Sequence, residues 1–253
     1  MSTSPIAQIR ACSAEANLLA DLGGLTEDAM NPSSQVPAIV TVLSDFQEIL
    51  EYTGTVAFAI TGAVAAGRKK MDVLGVVVLG CLVAVGGGTV RDLLLGRPVF
   101  WIKDPTFVVV AAISALTAVP LARTKALDVL ERYRVLAVLG SAAMALFVVI
   151  GTNIALVAGA NGVAAVIVGV ISGVGGGVIR DLVADQVPEV LRNGEIYASA
   201  ALVGSTVYVV LVEFRASILV AFWIAIAVIF TTRMIAFNAR LLLPTFHYVA
   251  PGG

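Results

Sequence analysis

Two glycine-rich stretches carry the residues of this chain that could do chemistry. They read AVGGGTVRDLLLG (84–96) and GVGGGVIRDLVAD (173–185), and each places an Arg–Asp pair shortly after three glycines. Both stretches lie in long apolar segments, where a charged side chain costs about 2.5–3.5 kcal/mol at the centre of a membrane helix. The pairs Arg91–Asp92 and Arg180–Asp181 are therefore candidates for a pore or gating network. The alternative is that they lie near helix ends and snorkel to the interface.

The glycines have two interpretations. Each weakens a helix by about 1 kcal/mol relative to alanine, so we expect breaks whose free carbonyls would attract a cation. The alternative is a surface for close packing between membrane helices. The residues concerned are Gly86, Gly87, Gly88, Gly175, Gly176 and Gly177.

Neighbouring side chains on a helix do not face each other. We therefore expect Arg91 to pair with another helix rather than with Asp92. The same expectation holds for Arg180 and Asp181, and the repeat suggests that the two copies pair crosswise.

The composition indicates a membrane protein. Of the 253 residues, 59% are hydrophobic and 13% are charged, and the mean hydropathy is +0.98, whereas soluble domains are about 25% charged. The net charge of −1 offers no basic surface for nucleic acid. One histidine, His247, argues against a His-based triad or a zinc site, and Cys12 and Cys81 have no metal-binding spacing. We expect no enzyme activity, no metal and no cofactor.

Seven apolar segments are long enough for membrane helices, since a bilayer core needs about 20 residues. Helices satisfy their own backbone groups in lipid, so the predicted fold is all-α integral membrane with seven transmembrane helices. The segments are 46–66, 73–95, 106–121, 135–157, 163–184, 196–212 and 217–237.

The orientation follows from the distribution of Lys and Arg. With the N-terminus outside, the inner loops and tail hold ten of these residues and the outer regions four. The strongest signal is Arg68, Lys69 and Lys70 after the first segment, which could also hold anionic lipid heads. The prediction is a multi-pass protein of the cell (inner) membrane, with the N-terminus outside and the C-terminus cytoplasmic.

The two stretches belong to an internal repeat with an offset of 175 − 86 = 89 residues. The offset corresponds to three helices, which is an odd number, so the second copy must enter the membrane from the opposite side, as an inverted repeat. The predicted regions are an N-terminal extension that is poorly ordered or surface-lying (1–44), the first repeat (45–131), the second repeat (132–215), and the seventh helix with the tail (216–253).

Several further residues either line the path or pack between helices. Phe58 and Phe147 are equivalent in the repeat, and packing is the favoured role for both. The polar candidates are Thr61, Thr89, Ser172 and Asn153.

The repeat motifs resemble those of prokaryotic TRIC (trimeric intracellular cation) channels, a two-copy family also linked to glycine transport. The matching pieces are GTVAFAITGAVAAGRKKMD (54–72), GGGTVRDLLLGRPVFWIKDP (86–105) and GVGGGVIRDLVADQVPEVLRNGEIYA (173–198). The second copy departs from the first, since Asp185 stands where the first has Gly96. The resemblance implies a homotrimer with one pore per protomer, and second and fifth helices bent at the glycines.

Two functions follow from these observations. The leading one is a monovalent cation channel for potassium and sodium, lined by the Gly-broken second and fifth helices, with lipid as the other bound molecule. Selectivity should be modest, because there is no filter of the TVGYG kind. The alternative is a secondary transporter for a small zwitterion such as glycine, which inverted repeats with broken helices suit equally well.

Overall fold

The computed structural model describes residues 35–122, 135–191 and 197–239. All regular elements in these ranges are helical. A short helix, Phe100–Lys103, follows α2, and a 3-10 turn, Glu189–Leu191, follows α5. The longer helices are α1 (Gln35–Arg68), α2 (Val73–Leu94), α3 (Thr106–Ala122), α4 (Val135–Val157), α5 (Gly162–Val183), α6 (Ala198–Glu213) and α7 (Ile218–Ala239).

Five of these helices are long and apolar enough to cross a membrane, namely α1 (from Gln47), α2, α4, α5 and α7. The helices α3 and α6 are shorter apolar helices. The all-helical class is therefore confirmed in the described part of the chain. The helix ends lie within a few residues of the predicted segments, except at the start of α1.

The start of α1 differs from the prediction. The helix begins at Gln35, inside the region that was assigned to an N-terminal extension ending at residue 44. Residues 35–45 are mostly apolar and continue the helix that the first segment was expected to begin at Phe46. Residues 1–34 lie outside the described residues, as do the predicted loop cations at 123–134, 192 and 240.

Equivalent residues begin the second helix of each copy. Asp72 caps α2 by accepting a hydrogen bond from the Gly75 amide at 2.7 Å, and Asn161 caps α5 by accepting one from the Ala164 amide at 2.8 Å. Both residues are of types that favour N-cap positions, and they are 89 residues apart. The repeat therefore extends to the caps.

The helices α2 and α5 meet at the centre of the molecule. The helix α2 also packs on α1 and α3, whereas α5 packs on α4 and α6; α7 lies against α4 and α6. The contact between α2 and α5 joins the two copies of the repeat.

The glycine motifs form this central crossing. A Cβ on Gly87 would collide with the carbonyl oxygen of Ser172, and a Cβ on Gly176 would collide with that of Val83. Residues 83 and 87 thus face 176 and 172, so the two helices run antiparallel where they cross. These two contacts are equivalent under the 89-residue offset.

The predicted interruption of the helices at the glycines is wrong. Both α2 and α5 run without interruption through their three glycines. The structure favours the packing interpretation, because the missing side chains let two backbones approach within van der Waals distance. Lost helix propensity at the glycines is offset by contacts that no other residue permits.

Candidate functional site

The first Arg–Asp pair lies at the end of α2. Arg91 Nε is 2.8 Å from Asp92 Oδ1, and Arg91 Nη1 is 3.5 Å from Glu51 Oε1 on α1. The other oxygen of Asp92 accepts a hydrogen bond from the Phe100 amide at 2.9 Å, and the guanidinium carbon lies 5.5 Å from the centre of the Phe100 ring. We call Glu51, Arg91, Asp92 and Phe100 the first cluster.

The second pair lies at the end of α5. Arg180 Nε is 2.8 Å from Asp181 Oδ1, and Arg180 Nη2 is 3.4 Å from Glu189 Oε2. Glu189 also accepts a hydrogen bond from Arg233 Nη2 of α7 at 2.6 Å. The guanidinium carbon of Arg233 lies 4.4 Å from the centre of the Tyr197 ring. We call Arg180, Asp181, Glu189 and Arg233 the second cluster.

The two clusters share one local design. In each, the aspartate binds the preceding arginine with one oxygen and a backbone amide eight residues later with the other; in the second cluster that amide belongs to Glu189, at 2.7 Å. Each Asp therefore fixes an Arg rotamer and the connection that leaves the helix.

The expectation that adjacent Arg and Asp do not pair is wrong. The expectation used only the direction in which each side chain leaves its Cα. A long Arg side chain can nevertheless curl back to the Asp that follows it in sequence. No crosswise pairing between the copies occurs among the described residues. The arginines instead take additional partners within their own end of the molecule, Glu51 for Arg91 and Glu189 for Arg180.

A cavity of about 410 Å³ lies next to the second cluster. Parts of α1, α4, α5 and α7 form its wall, together with the start of α6. All four residues of the second cluster contribute to its lining, and so do Phe58, Thr61 and Arg68 of α1. None of the six motif glycines contributes to it.

The two clusters lie at opposite ends of the helices. The second cluster shares its cavity with Arg68, the last residue of α1. The first cluster lies in the last turn of α2, which turns back from the end of α1 after four residues, 69–72. An antiparallel helix of 22 residues carries its far end about 33 Å away at 1.5 Å per residue.

The two equivalent phenylalanines meet at the middle of the molecule. The rings of Phe58 and Phe147 are stacked with centroids 5.4 Å apart, and both residues are buried. Phe58 also forms the inner limit of the cavity wall on α1. These residues pack against each other across the repeat.

The predicted polar residues are spread over several contacts. Thr61 lines the cavity and donates a hydrogen bond to the Phe58 carbonyl oxygen at 2.8 Å. Thr89 accepts a hydrogen bond from Trp101 Nε1 at 2.8 Å. Asn153 joins two helices, since it accepts from the Tyr208 hydroxyl at 2.9 Å and its amide nitrogen lies 3.3 Å from Gln47 Oε1.

Ser172 differs from these residues. Its hydroxyl is buried and has no hydrogen-bond partner among the described residues. Its backbone carbonyl is the group that Gly87 approaches. Ser172 therefore lies at the helix crossing.

The basic residues at the end of α1 divide into two groups. All three are exposed; Arg68 also lines the cavity, while Lys69 and Lys70 lie in the turn that follows. Arg233, counted in the sequence as part of an inner tail, is instead buried inside α7. Its guanidinium is held by Glu189.

Sequence reasoning missed Glu51, Glu189 and Arg233 as members of the clusters. Two of these could have been found, because Glu51 and Arg233 are charged residues within apolar segments and such residues are costly without a partner. Glu189 gave no comparable signal, since it follows a helix end where charged residues are common.

Comparisons with known proteins agree with this architecture. A family model described as glycine transporter matches residues 48–123 and 137–213. The UPF0126 inner membrane protein YadS of Escherichia coli (strain K12) is 43% identical over 199 residues, which are 78% of this chain and 94% of that protein. A UPF0126 membrane protein of Vibrio cholerae is 40% identical over 200 residues, which are 78% of this chain and 82% of that protein.

A solved structure has the same fold. The TRIC trimeric intracellular cation channel orthologue from Rhodobacter sphaeroides is 38% identical and superposes with a TM-score of 0.72, over 78% of this chain and 99% of that one. The two matches to the family model begin at residues 48 and 137, which are 89 residues apart. This is the offset that relates the two clusters.

Proposed function

This chain belongs to the membrane protein family that is described as glycine transporter and that includes TRIC channels, and we propose that it is a monovalent cation channel for potassium and sodium. In this proposal it crosses the membrane with all seven helices, α1 to α7. It assembles as a homotrimer with one path through each protomer. The proposal draws on the structural neighbours, which are TRIC cation channels.

The observation that carries the proposal is the cavity beside the second cluster. It extends along α1 from Arg68 to Phe58, ten residues or about 15 Å at the helical rise. This is about half of a 30 Å bilayer core. A cavity lined by charged groups at such depth would let water and ions enter one half of the membrane.

The position of the pseudo-two-fold axis supports an inverted repeat. Equivalent residues contact each other at the stacked rings of Phe58 and Phe147, and again where Gly87 approaches Gly176. The helices α2 and α5 run antiparallel there, as an axis in the membrane plane requires. We therefore propose repeats over 45–131 and 132–215, with the seventh helix and tail, 216–253, outside them.

The proposed orientation places the cavity on the cytoplasmic side. The cavity shares its end of the molecule with Arg68, Lys69 and Lys70, and Lys and Arg are enriched in cytoplasmic loops. The N-terminus is then outside and the C-terminus inside. Anionic lipid heads at Lys69 and Lys70 are part of the same proposal.

Selectivity among cations should be modest. The second cluster contains two arginines and two carboxylates, so its formal charges balance. The sequence has no stretch of the TVGYG kind, whose backbone carbonyls remove the water from potassium in a narrow filter. An ion in this cavity would keep much of its water.

A planar bilayer tests the proposal. The purified protein should give unitary currents in a potassium gradient, with a reversal potential that indicates cation selectivity. Gly140→Phe places a ring where the wall is open and should reduce the conductance several-fold. Val138→Phe is the matched control, because Val138 is exposed on the same helix. Silent bilayers at all potentials would contradict the channel.

A transporter for a small zwitterion such as glycine is the second candidate. One observation favours it: the cavity presents guanidinium and carboxylate groups together, which would suit a bound carboxylate and a bound amine respectively. Saturable glycine uptake into liposomes, without unitary currents from the same preparation, would replace the channel with this function. Unitary currents without saturable uptake would exclude it.

A further inference from the structure

The residues that face the two clusters differ at equivalent positions of the repeat. The family matches begin at 48 and 137, so Glu51 on α1 corresponds to Gly140 on α4, and Tyr52 corresponds to Ser141. A large acidic residue and a large aromatic residue in the first copy thus stand where the second has two of the smallest residues.

At the second end these small residues leave space. Gly140 and Ser141 both line the cavity, together with Arg180 and Tyr197. A Cβ on Gly140 would meet no atom within 4 Å. The 410 Å³ of this cavity could hold several waters, since each occupies about 30 Å³ in the liquid.

At the first end the corresponding residues contact their neighbours. Glu51 Oε1 lies 3.5 Å from Arg91 Nη1, whereas at the second end Gly140 leaves Arg180 facing the cavity. The ring of Tyr52 stacks on Phe107, with centroids 4.2 Å apart and planes at 9°. The Tyr52 hydroxyl donates a hydrogen bond to Asp104 Oδ2 at 2.8 Å.

The partner of Tyr52 also has a counterpart at the cavity. Pro188 lies one residue later than the 89-residue offset from Pro98 predicts, and the second family match is one residue longer than the first, so Phe107 corresponds to Tyr197. The stacked pair Tyr52–Phe107 therefore matches Ser141 and Tyr197, which both line the cavity. Ser141 carries no ring, so the stacked contact of the first end has no equivalent at the second.

We propose that Glu51 and Tyr52 form the gate of the ion path, at the end opposite the cavity. This inference rests on the proposed channel function, and it assigns the closed half of the path to two side chains of α1. Release of Tyr52 from Asp104 and of Glu51 from Arg91 opens a second cavity equivalent to the first. Arg91 and Asp92 stay paired with each other during this step.

The gate is tested by replacing Glu51 and Tyr52 with the residues that the second copy has at the equivalent positions, Gly140 and Ser141. In the variant Glu51→Gly/Tyr52→Ser we expect about a tenfold increase in the ratio of open to closed time, for the loss of one hydrogen bond and one ion pair. The control is Thr53→Ala, which also introduces the second-copy residue, Ala142, but at an exposed position. It should leave the ratio unchanged.

A measurement that does not depend on ion flow tests the gate separately from the proposed channel function. Hydroxyl-radical labelling followed by mass spectrometry measures water access to the ring of Phe107, which is 4% exposed. Labelling of Phe107 should increase several-fold in the double variant and not in Thr53→Ala. If labelling increases in a protein that never conducts, Glu51 and Tyr52 do close this end, but the proposed channel function is rejected. Unchanged labelling and unchanged gating in a conducting protein would reject the gate.

The reciprocal exchange provides a second test in case the first variant does not fold. Gly140→Glu/Ser141→Tyr fills the cavity and leaves the first cluster untouched. We expect at least about a tenfold decrease in open time. If this variant folds and gives normal currents, the residues at positions 140 and 141 do not have the role that the gate assigns to Glu51 and Tyr52, and the gate is rejected.

Discussion

The first and second clusters use the same Arg–Asp pair in different surroundings. The side chain of Arg91 is 2% exposed and that of Arg180 is 20% exposed. The Arg–Asp pair and the hydrogen bond from a backbone amide to the Asp occur at both ends, so they do not explain why a cavity lies beside the second cluster. The difference comes from α1 and α4, where Glu51 and Tyr52 stand opposite Gly140 and Ser141. The repeat therefore explains what the two ends share, and the differences between α1 and α4 accompany the difference in exposure of the two arginines.

The largest effects should occur where the two copies are alike. Gly87→Ala and Gly176→Ala each place a methyl group against a backbone carbonyl at the helix crossing. We expect each to cost about 3 kcal/mol or more, because two backbones must separate. Thermal unfolding of the solubilised protein measures this cost.

Gly140→Ala is the matched control for the crossing. It adds the same methyl group to a helix at a site with no atom within 4 Å, and it should not lower the unfolding temperature. A loss as large as that of Gly87→Ala would show that helical glycines matter here for a reason other than contact.

An effect of comparable size should separate the clusters. Arg91→Met leaves Glu51 and Asp92 buried without their cation, and breaking a buried pair in this way costs about 3–5 kcal/mol. Arg180→Met should cost about 1 kcal/mol, because water in the cavity can solvate Asp181 and Glu189. The same unfolding measurement compares the two variants. Equal losses would mean that the clusters have equivalent environments.

Much of the fold could be predicted from the sequence. Hydropathy and length placed α4 at its observed bounds, 135–157, and the 89-residue offset matched caps, crossing and clusters. What could not be predicted depends on three-dimensional contact. The glycines were expected to break α2 and α5 because glycine has a low helix propensity. The close contact between the two helices at their crossing offsets this loss.

The candidate site was only half predictable. Arg91, Asp92, Arg180 and Asp181 were identified from their motif, whereas their pairing was not, because side-chain reach is not a property of helical periodicity. Glu51 shows the same limit. Its charge in an apolar segment could have indicated a partner but was overlooked, and only the packing of α1 on α2 identifies that partner as Arg91.

A smaller effect should come from the tyrosine hydroxyl of the first end. Tyr52→Phe keeps the ring on Phe107 but removes the hydrogen bond to Asp104. We expect a loss of about 1 kcal/mol in the free energy of unfolding, with Thr53→Ala as the control in the same helix. If Tyr52→Phe is as stable as the wild type, the stacked rings alone hold this end closed.

The smallest effect should be a dependence on acid at Asp104. Hydrogen bonds from Thr106 and Tyr52 lower the pKa of this carboxyl group below its ordinary value of 3.8. The charged form is therefore favoured by folding, and its contribution is complete above pH 3.8 and is lost as the pH falls through the lowered pKa.

Bilayer recordings with acid added only on the Asp104 side test this dependence. The contribution of Asp104 to open time should stay constant from neutral pH to about pH 5 and change only at lower pH. Asp104→Asn should remove the step that depends on this group, because its side chain does not titrate. A step that persists in Asp104→Asn would assign the acid response to another carboxylate of the first end, and Glu51 would be the next residue to exchange.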